Sequence, residues 1–127
     1  MKISFFENQL AEAIGAGIYQ ISVRKDQKQA VLYIGESCYM LKRCAEHLYE
    51  LQKAPEYFGF TADTINTPGL TLIFEIAEAE QEQGLRKKKQ YDRIKNMNPM
   101  PLSQSGKSDD QKEIPDKIAA MNQFLES

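Results

Sequence analysis

The sequence has no tryptophan, one histidine and two cysteines, and these scarcities limit the chemistry open to it. A zinc site needs about four nitrogen or sulfur ligands. Cys38, Cys44 and His47 are the whole supply, and the cysteines are not spaced as a C-x-x-C motif. We therefore expect two reduced thiols that are partly buried, rather than a zinc or redox centre.

Long apolar runs are also absent. No segment approaches the roughly 20 apolar residues that cross a bilayer, and residues 1–7 lack the apolar core and small-residue cleavage site of a signal peptide. We predict a cytoplasmic protein without a membrane partner.

The net charge is −2, so bulk electrostatics give no attraction to nucleic acid. The charges are segregated, however. Acidic residues fill positions 75–82, and basic residues follow at positions 86–95. Such a basic run can hold phosphates, although a solvated helix face explains it equally well.

Alternation of apolar and polar residues predicts three strands, at 17–23, 30–35 and 70–76. Apolar residues at helical spacing predict helices at 39–52, 79–96 and 115–125, and a short amphipathic lead-in over 4–15 capped by Ser4. The first two strands, joined by a polar turn, form a hairpin. We expect an α/β (α+β) fold, with a small three-stranded antiparallel sheet flanked by helices.

Composition divides the chain into a domain over 1–104 and a tail over 105–127. Residues 103–111 are rich in Ser, Gly, Lys and Asp and are predicted to form a linker before the last helix.

Polar side chains converge beside the predicted hairpin. Tyr19 lies early in its first strand and Tyr33 late in its second, so both should lie near one end. Arg43 and His47 follow one turn apart on the next helix, off its apolar stripe of Leu41, Cys44, Ala45, Leu48 and Leu51.

Two tripeptides, Gly17-Ile18-Tyr19 and Tyr33-Ile34-Gly35, give these residues a family context. With Arg43 ten residues after Tyr33 and His47 one turn later, residues 15–104 resemble the GIY-YIG nuclease superfamily. The resemblance implies a DNA endonuclease that hydrolyses one phosphodiester bond with one divalent metal ion, Mg²⁺ or Mn²⁺. It also implies that attached domains or a protein partner supply specificity.

The resemblance implies a role for each residue. Tyr19 or Tyr33 would be the general base that deprotonates water. Arg43 would bind the phosphate oxygens, and His47 would orient the tyrosine, move a proton or bind phosphate. Gly35, Ser37 and Lys42 are the predicted substrate-binding residues.

The metal ligand is where the sequence departs from the family. The frame set by Ile94 and Pro99 places Gln90 at the position of the metal-binding glutamate, and its neutral oxygen suits Mg²⁺ poorly. Glu82 and Asp92 are the nearby carboxylates. Glu36 introduces a further anion, which would either pair with Arg43 or help to hold a metal.

Three interpretations follow. The chain is an active nuclease, with a displaced metal ligand or an introduced Glu-to-Gln change at position 90. Alternatively, it is a catalytically inactive GIY-YIG-derived module that binds nucleic acid or protein. The third interpretation is an interaction module with no nucleic-acid role.

Overall fold

The computed structural model describes residues 1–106 and 110–127. It contains four strands and three helices: β1 (Lys2–Phe5), β2 (Gly17–Lys25), β3 (Lys28–Ser37), α1 (Met40–Lys53), β4 (Leu70–Ala79), α2 (Gln83–Asn96) and α3 (Ile114–Glu126). Short 3₁₀ turns lie at Glu12–Ile14, Pro55–Phe58 and Thr64–Asn66.

The four strands form one mixed sheet in the order β1-β4-β2-β3. The strand β2 pairs antiparallel with β3 on one side and with β4 on the other, as expected for the three predicted strands. The prediction of three antiparallel strands is wrong at the edge, because β1 adds a fourth strand parallel to β4.

The strand β1 replaces the predicted amphipathic lead-in over 4–15. Phe5 pairs with Phe74 in register, and their rings lie 5.1 Å apart. Phe6 is 1% exposed in the same core. These aromatic side chains bury apolar surface against β4, and within residues 4–15 only the 3₁₀ turn at Glu12–Ile14 is helical.

The helices cover opposite faces of the sheet. The main core contains Ile21 and Val23 of β2 and is closed by α1, the Pro55–Phe58 turn and α3. On the other face, Ile94 of α2 packs against Ile18 and Ile34. In the described part of the chain, no helix is long and apolar enough to cross a membrane.

The predicted linker begins as ordered backbone along β3. The amides of Leu102 and Ser103 donate to the carbonyls of Val31 and Leu32, so this segment covers part of the outer edge of the sheet. Residues 107–109 of the predicted linker lie outside the described residues. The predicted division of the chain at 104/105 stays a prediction.

Candidate functional site

Strand pairing brings the two signature tyrosines together. Tyr19 lies opposite Gly35, and Tyr33 lies opposite Ile21, so both rings project from the α1 face of the hairpin. The rings are stacked with centroids 6.2 Å apart, and they are only 1% and 5% exposed.

Gly35 is required by this arrangement. A Cβ built on Gly35 would overlap the phenol ring of Tyr19. A Cβ on Gly17 would likewise overlap the carbonyl oxygen of Glu78 on β4. Close packing therefore explains why both positions are glycine, without any contact to a substrate. The predicted substrate-binding role of Gly35 stays a prediction.

His47 is fully buried between two tyrosine hydroxyls. Its Nε2 lies 2.8 Å from the Tyr19 hydroxyl, and its Nδ1 lies 2.7 Å from the hydroxyl of Tyr57. The Tyr33 ring packs edge-on against the imidazole at 4.8 Å. His47 thus belongs to the buried stripe of α1, with Met40, Cys44 and Leu51, and its predicted place off that stripe is wrong.

The burial keeps this cluster neutral. Burial, with the charges of Arg43 and Lys117 acting in the same direction, lowers the pKa of His47 to about 3. Burial also raises the pKa of Tyr19 far above its ordinary value. A neutral imidazole has one N–H and one acceptor nitrogen, so one of its two tyrosine partners donates and the other accepts. As it stands, neither Tyr19 nor His47 is a ready proton acceptor at neutral pH.

Arg43 lies at the rim of this cluster. Its side chain is 38% exposed and reaches Glu46 at 3.4 Å. Burial opposes its charge, but Tyr19, Tyr33 and Tyr57 outweigh this effect and raise the pKa of the guanidinium. Arg43 is therefore the one predicted catalytic residue that is both charged and partly open to solvent.

The remaining predicted substrate-binding residues have simpler surroundings. The Ser37 hydroxyl accepts a hydrogen bond from the Tyr39 amide at 2.9 Å, at the entry to α1. Lys42 is exposed. It neighbours Arg43 in sequence, but successive helical residues point about 100° apart. The structure therefore brings Tyr19, Tyr33, Arg43 and His47 together and leaves Ser37 and Lys42 outside the cluster.

Gln90 is buried on the opposite face of the sheet and makes a structural contact. Its amide nitrogen donates to the carbonyl of Ile34 at 3.0 Å. Gln104 donates to the same carbonyl at 2.9 Å and accepts from the Ile34 amide, also at 2.9 Å. We call this pair of side chains, Gln90 and Gln104, the glutamine clamp. It satisfies the backbone of the second signature tripeptide at the outer edge of the sheet.

Glu36 pairs with α2 rather than with Arg43. Its carboxylate accepts from Arg86 at 2.9 Å and from Lys87 at 3.1 Å, and these partners outweigh burial and lower its pKa. Arg86 is only 5% exposed and also donates to the Gln81 carbonyl. Of the two predicted alternatives for Glu36, the pair with Arg43 is wrong.

The same kind of pairing neutralises most of the basic run. Lys89 contacts both Glu78 and Glu80, and Arg93 lies 3.7 Å from Glu78. The acidic stretch on β4 thus lies against the basic helix that follows it. Lys89 and Arg93 thus pair with β4, while Arg86 and Lys87 pair with Glu36 on β3. We call these ion pairs between α2 and the sheet the charge layer.

A divalent metal does not fit the position of Gln90. Its NH₂ group faces the Ile34 carbonyl, and an amide nitrogen is no ligand for Mg²⁺. The nearby carboxylates are engaged elsewhere: Glu82 caps α2 through the Leu85 amide, and Asp92 lies 3.5 Å from Lys88. Within residues 1–106 and 110–127, no three His, Cys, Asp or Glu side chains are grouped to hold a metal ion.

Tyr57 is the member of the cluster that sequence reasoning missed. It lies in the 3₁₀ turn at Pro55–Phe58, directly after α1, and the sequence shows it only as one of several aromatic residues in that segment. Besides His47, it contacts Lys117 of α3, which donates to its carbonyl at 2.8 Å and lies over its ring at 5.1 Å. No spacing in the sequence predicts the contact between Tyr57 and His47, because it depends on the path of the chain after α1.

Comparison with known proteins adds no family to this geometry. No protein-family model, curated protein or solved structure matches the chain. The resemblance to GIY-YIG nucleases therefore rests on the two tripeptides, Arg43 and His47, and stays a prediction.

Proposed function

We propose that the chain is a GIY-YIG-derived domain that does not cleave nucleic acid and that binds a protein partner. One observation carries this proposal: the Gln90 amide donates to the Ile34 carbonyl at the position where the family resemblance requires a metal-binding carboxylate. A neutral side chain with its donor committed to the backbone supports the fold and offers nothing to a metal.

The state of the tyrosine–histidine cluster supports the same proposal. A general base must reach the proton that it removes. Tyr19 and His47 are 1% and 0% exposed, and they satisfy each other through a 2.8 Å hydrogen bond. The cluster has the character of a packed polar core, with Arg43 and the half-buried Tyr57 at its rim.

The charge layer favours protein over nucleic acid as the partner. Phosphate binding draws on cations that are free to replace counterions. Lys87, Lys89 and Arg93 already face carboxylates of Glu36, Glu78 and Glu80. The helix that most resembled a DNA-binding surface is therefore largely neutralised by its own fold.

Exposed apolar side chains give a protein partner something to contact. Ile14 and Tyr39 are 55% and 40% exposed. The Met40 amide donates to the Gly15 carbonyl, so the two segments that carry these residues are adjacent. Aromatic and aliphatic side chains of this kind are enriched in the centres of protein interfaces.

A plasmid-nicking assay with Mg²⁺ and with Mn²⁺ tests the proposal. The parent chain, Gln90→Glu and Tyr33→Phe are all expected to leave the plasmid intact. Nicking by the parent that disappears in Tyr33→Phe would overturn the proposal. Nicking only by Gln90→Glu would show that Gln90 alone blocks cleavage, and it would contradict the argument that the buried Tyr19 and His47 also prevent it.

A DNA-binding titration at 50 and 200 mM salt separates the two kinds of partner. We expect no binding at either concentration. Tight binding at 50 mM that weakens steeply at 200 mM would replace the protein partner with nucleic acid.

A second candidate is the endonuclease that the resemblance implies, with Mg²⁺ or Mn²⁺ as its cofactor and DNA as its substrate. The observation that favours it is the convergence of Tyr19, Tyr33 and His47 beside the partly exposed guanidinium of Arg43. The parent and Tyr33→Phe arms of the nicking assay decide between the candidates. A cytoplasmic location, supported by the free thiols of Cys38 and Cys44, also remains a proposal.

A further inference from the structure

The α2 face of the sheet is only half covered. Ile18 and Ile34 lie under Ile94 of α2. The other half carries polar residues in rows set by strand register. One such row runs from Lys2 on β1 through Thr71 on β4 to Arg24 on β2. Paired residues on adjacent strands project to the same side of a sheet, so these three side chains lie on one face.

Arg24 lines two neighbouring clefts on this open half. The first has a volume of about 460 Å³ and also includes Lys2, Thr67 and Thr71. The second has a volume of about 380 Å³ and extends toward Gln29. Both volumes are in the range of small-ligand pockets.

Two cations flank the Thr71 hydroxyl without a counterion from the chain. Lys2 and Arg24 lie two strand spacings apart, roughly 9.6 Å between their backbones. Among the described residues, neither has a carboxylate within ion-pair distance. On α2, by contrast, Arg86 and Lys89 each form an ion pair with a carboxylate.

Three carboxylates line the two clefts, and two of them have side-chain partners. Glu75 accepts from Gln20 at 3.3 Å, and Glu7 lies 3.5 Å from the Ser4 hydroxyl. The third, Asp26, lines the first cleft; its amide donates to the Gly69 carbonyl, and its carboxylate lies beyond ion-pair distance of Lys2 and Arg24. Like charges held near each other repel, and an anion between them offsets that cost.

We propose that Arg24 and Lys2 bind the phosphate group of a small phosphate-bearing molecule, with the rest of that molecule in the 460 Å³ cleft. A guanidinium forms paired hydrogen bonds with phosphate oxygens, and two cations match a dianion better than a single carboxylate. Thr71 adds a hydroxyl group at the same cleft, whereas the Thr67 hydroxyl there already donates to the Thr64 carbonyl at 2.7 Å. The site is on the opposite face of the sheet from Tyr19 and does not depend on the proposed function.

A titration of the full chain with inorganic phosphate, followed by amide NMR at constant ionic strength, tests this site. We expect saturable shifts at Lys2, Arg24 and Thr71. Arg24→Gln should weaken binding by at least about tenfold, because a charge-assisted paired contact is lost. Lys53→Gln removes an exposed cation elsewhere and should bind phosphate as the parent does.

Two further ligands define the chemistry of the site. A nucleoside monophosphate should bind more tightly than inorganic phosphate, since its body would occupy the cleft. Succinate, a dicarboxylate, should bind more weakly. Equal binding of succinate and phosphate would overturn the preference for phosphate, and equal binding of the two phosphates would overturn the place given to the ligand body.

The whole proposal is overturned by shifts that never saturate. It is equally overturned if Arg24→Gln and Lys53→Gln give the same titration as the parent, since phosphate would then act only as a diffuse counterion. Arg24 is exposed, so its replacement should leave the fold intact, and the same spectra report whether it does.

Discussion

The two faces of the sheet treat the predicted catalytic residues differently. On the α1 face, Tyr19, Tyr33 and His47 meet as the tripeptides predict, and they form a dry cluster of neutral hydrogen bonds. On the α2 face, Gln90 holds the backbone of Ile34 in place of binding a metal. The two tripeptides are therefore packed together on one face, while the position expected to hold a metal on the other face serves the backbone.

The largest expected effect is the loss of stability of the α1 face at low pH. His47 has a pKa of about 3 in the folded chain and about 6.5 when unfolded, so the unfolded state binds the proton more readily. The stabilisation is complete above pH 6.5 and is lost as pH falls toward 3. The free energy of unfolding should drop by about 1.4 kcal/mol per pH unit in this window.

Urea denaturation at half-unit steps of pH measures that slope, and His47→Gln should remove its share of it. Since the chain has one histidine, its ¹⁵N resonances can be assigned without ambiguity. They should report a neutral ring down to about pH 3. An imidazole that titrates near 6.5 in the folded chain would refute the buried, neutral cluster.

Crowding the α1 face should have the next largest effect. Gly35→Ala places a methyl group inside the volume of the Tyr19 ring, and this ring cannot retreat without leaving His47. We expect a loss of about 3 kcal/mol in unfolding free energy, as for overpacked cores.

Gly84→Ala is the matched control for this change. Gly84 lies in the first turn of α2, where the nearest atom to an added Cβ would be an oxygen of the Glu82 carboxylate, at 3.2 Å; this solvent-exposed carboxylate caps the helix and can shift by a few tenths of an ångström. Alanine there should stabilise the chain by up to about 1 kcal/mol through helix propensity. Equal effects of the two substitutions would contradict the packing role given to Gly35.

The α2 face is tested by Gln90→Glu. An ionised carboxylate has no hydrogen to donate to Ile34, so the change should cost about 2 kcal/mol at pH 7. Burial raises the pKa of such a carboxyl group, and its protonated form can donate again. The loss should therefore shrink as pH falls from 7 to 4.5, while the loss in Gln90→Met, which has no titratable group, should stay constant.

Tyr57→Phe should have the smallest effect, about 1 kcal/mol in unfolding free energy, because one hydrogen bond to His47 is lost. The Nδ1 resonance of His47 should move with it. Tyr49→Phe changes a side chain that is 61% exposed and should alter stability by less than about 0.5 kcal/mol. If Tyr57→Phe and Tyr49→Phe change the unfolding free energy equally, Tyr57 has no structural role in the cluster.

Much of the fold could be predicted because its signals are local. The prediction of a strand over 17–23 is confirmed within β2, and the long apolar stripes that predicted α1 and α3 are confirmed within one or two residues. The strand β1 could not be predicted in the same way. Its four residues are held by pairing with Thr71–Phe74, far along the chain, and their local spacing resembles a helix.

The features of the candidate site also differ in whether they depend on local or distant segments. The proximity of Tyr19 and Tyr33 follows from hairpin register, which the sequence carries. The burial of His47 and the glutamine clamp depend on segments that return from a distance, the Pro55–Phe58 turn and residues 102–104. The ion pairs between acidic β4 and basic α2 were predictable, because the acidic residues directly precede the basic residues in the sequence.

The central claim, that Gln90 is a structural residue in place of a metal ligand, is tested most directly by titrating the ¹⁵N-labelled chain with Mn²⁺. Paramagnetic broadening should appear only at exposed carboxylates, weakly and without preference for Ile34, Glu36 or Gln90, and Gln90→Glu should change little. Selective broadening of those three residues in the parent chain at low Mn²⁺ concentration would contradict the claim and restore a metal-dependent nuclease.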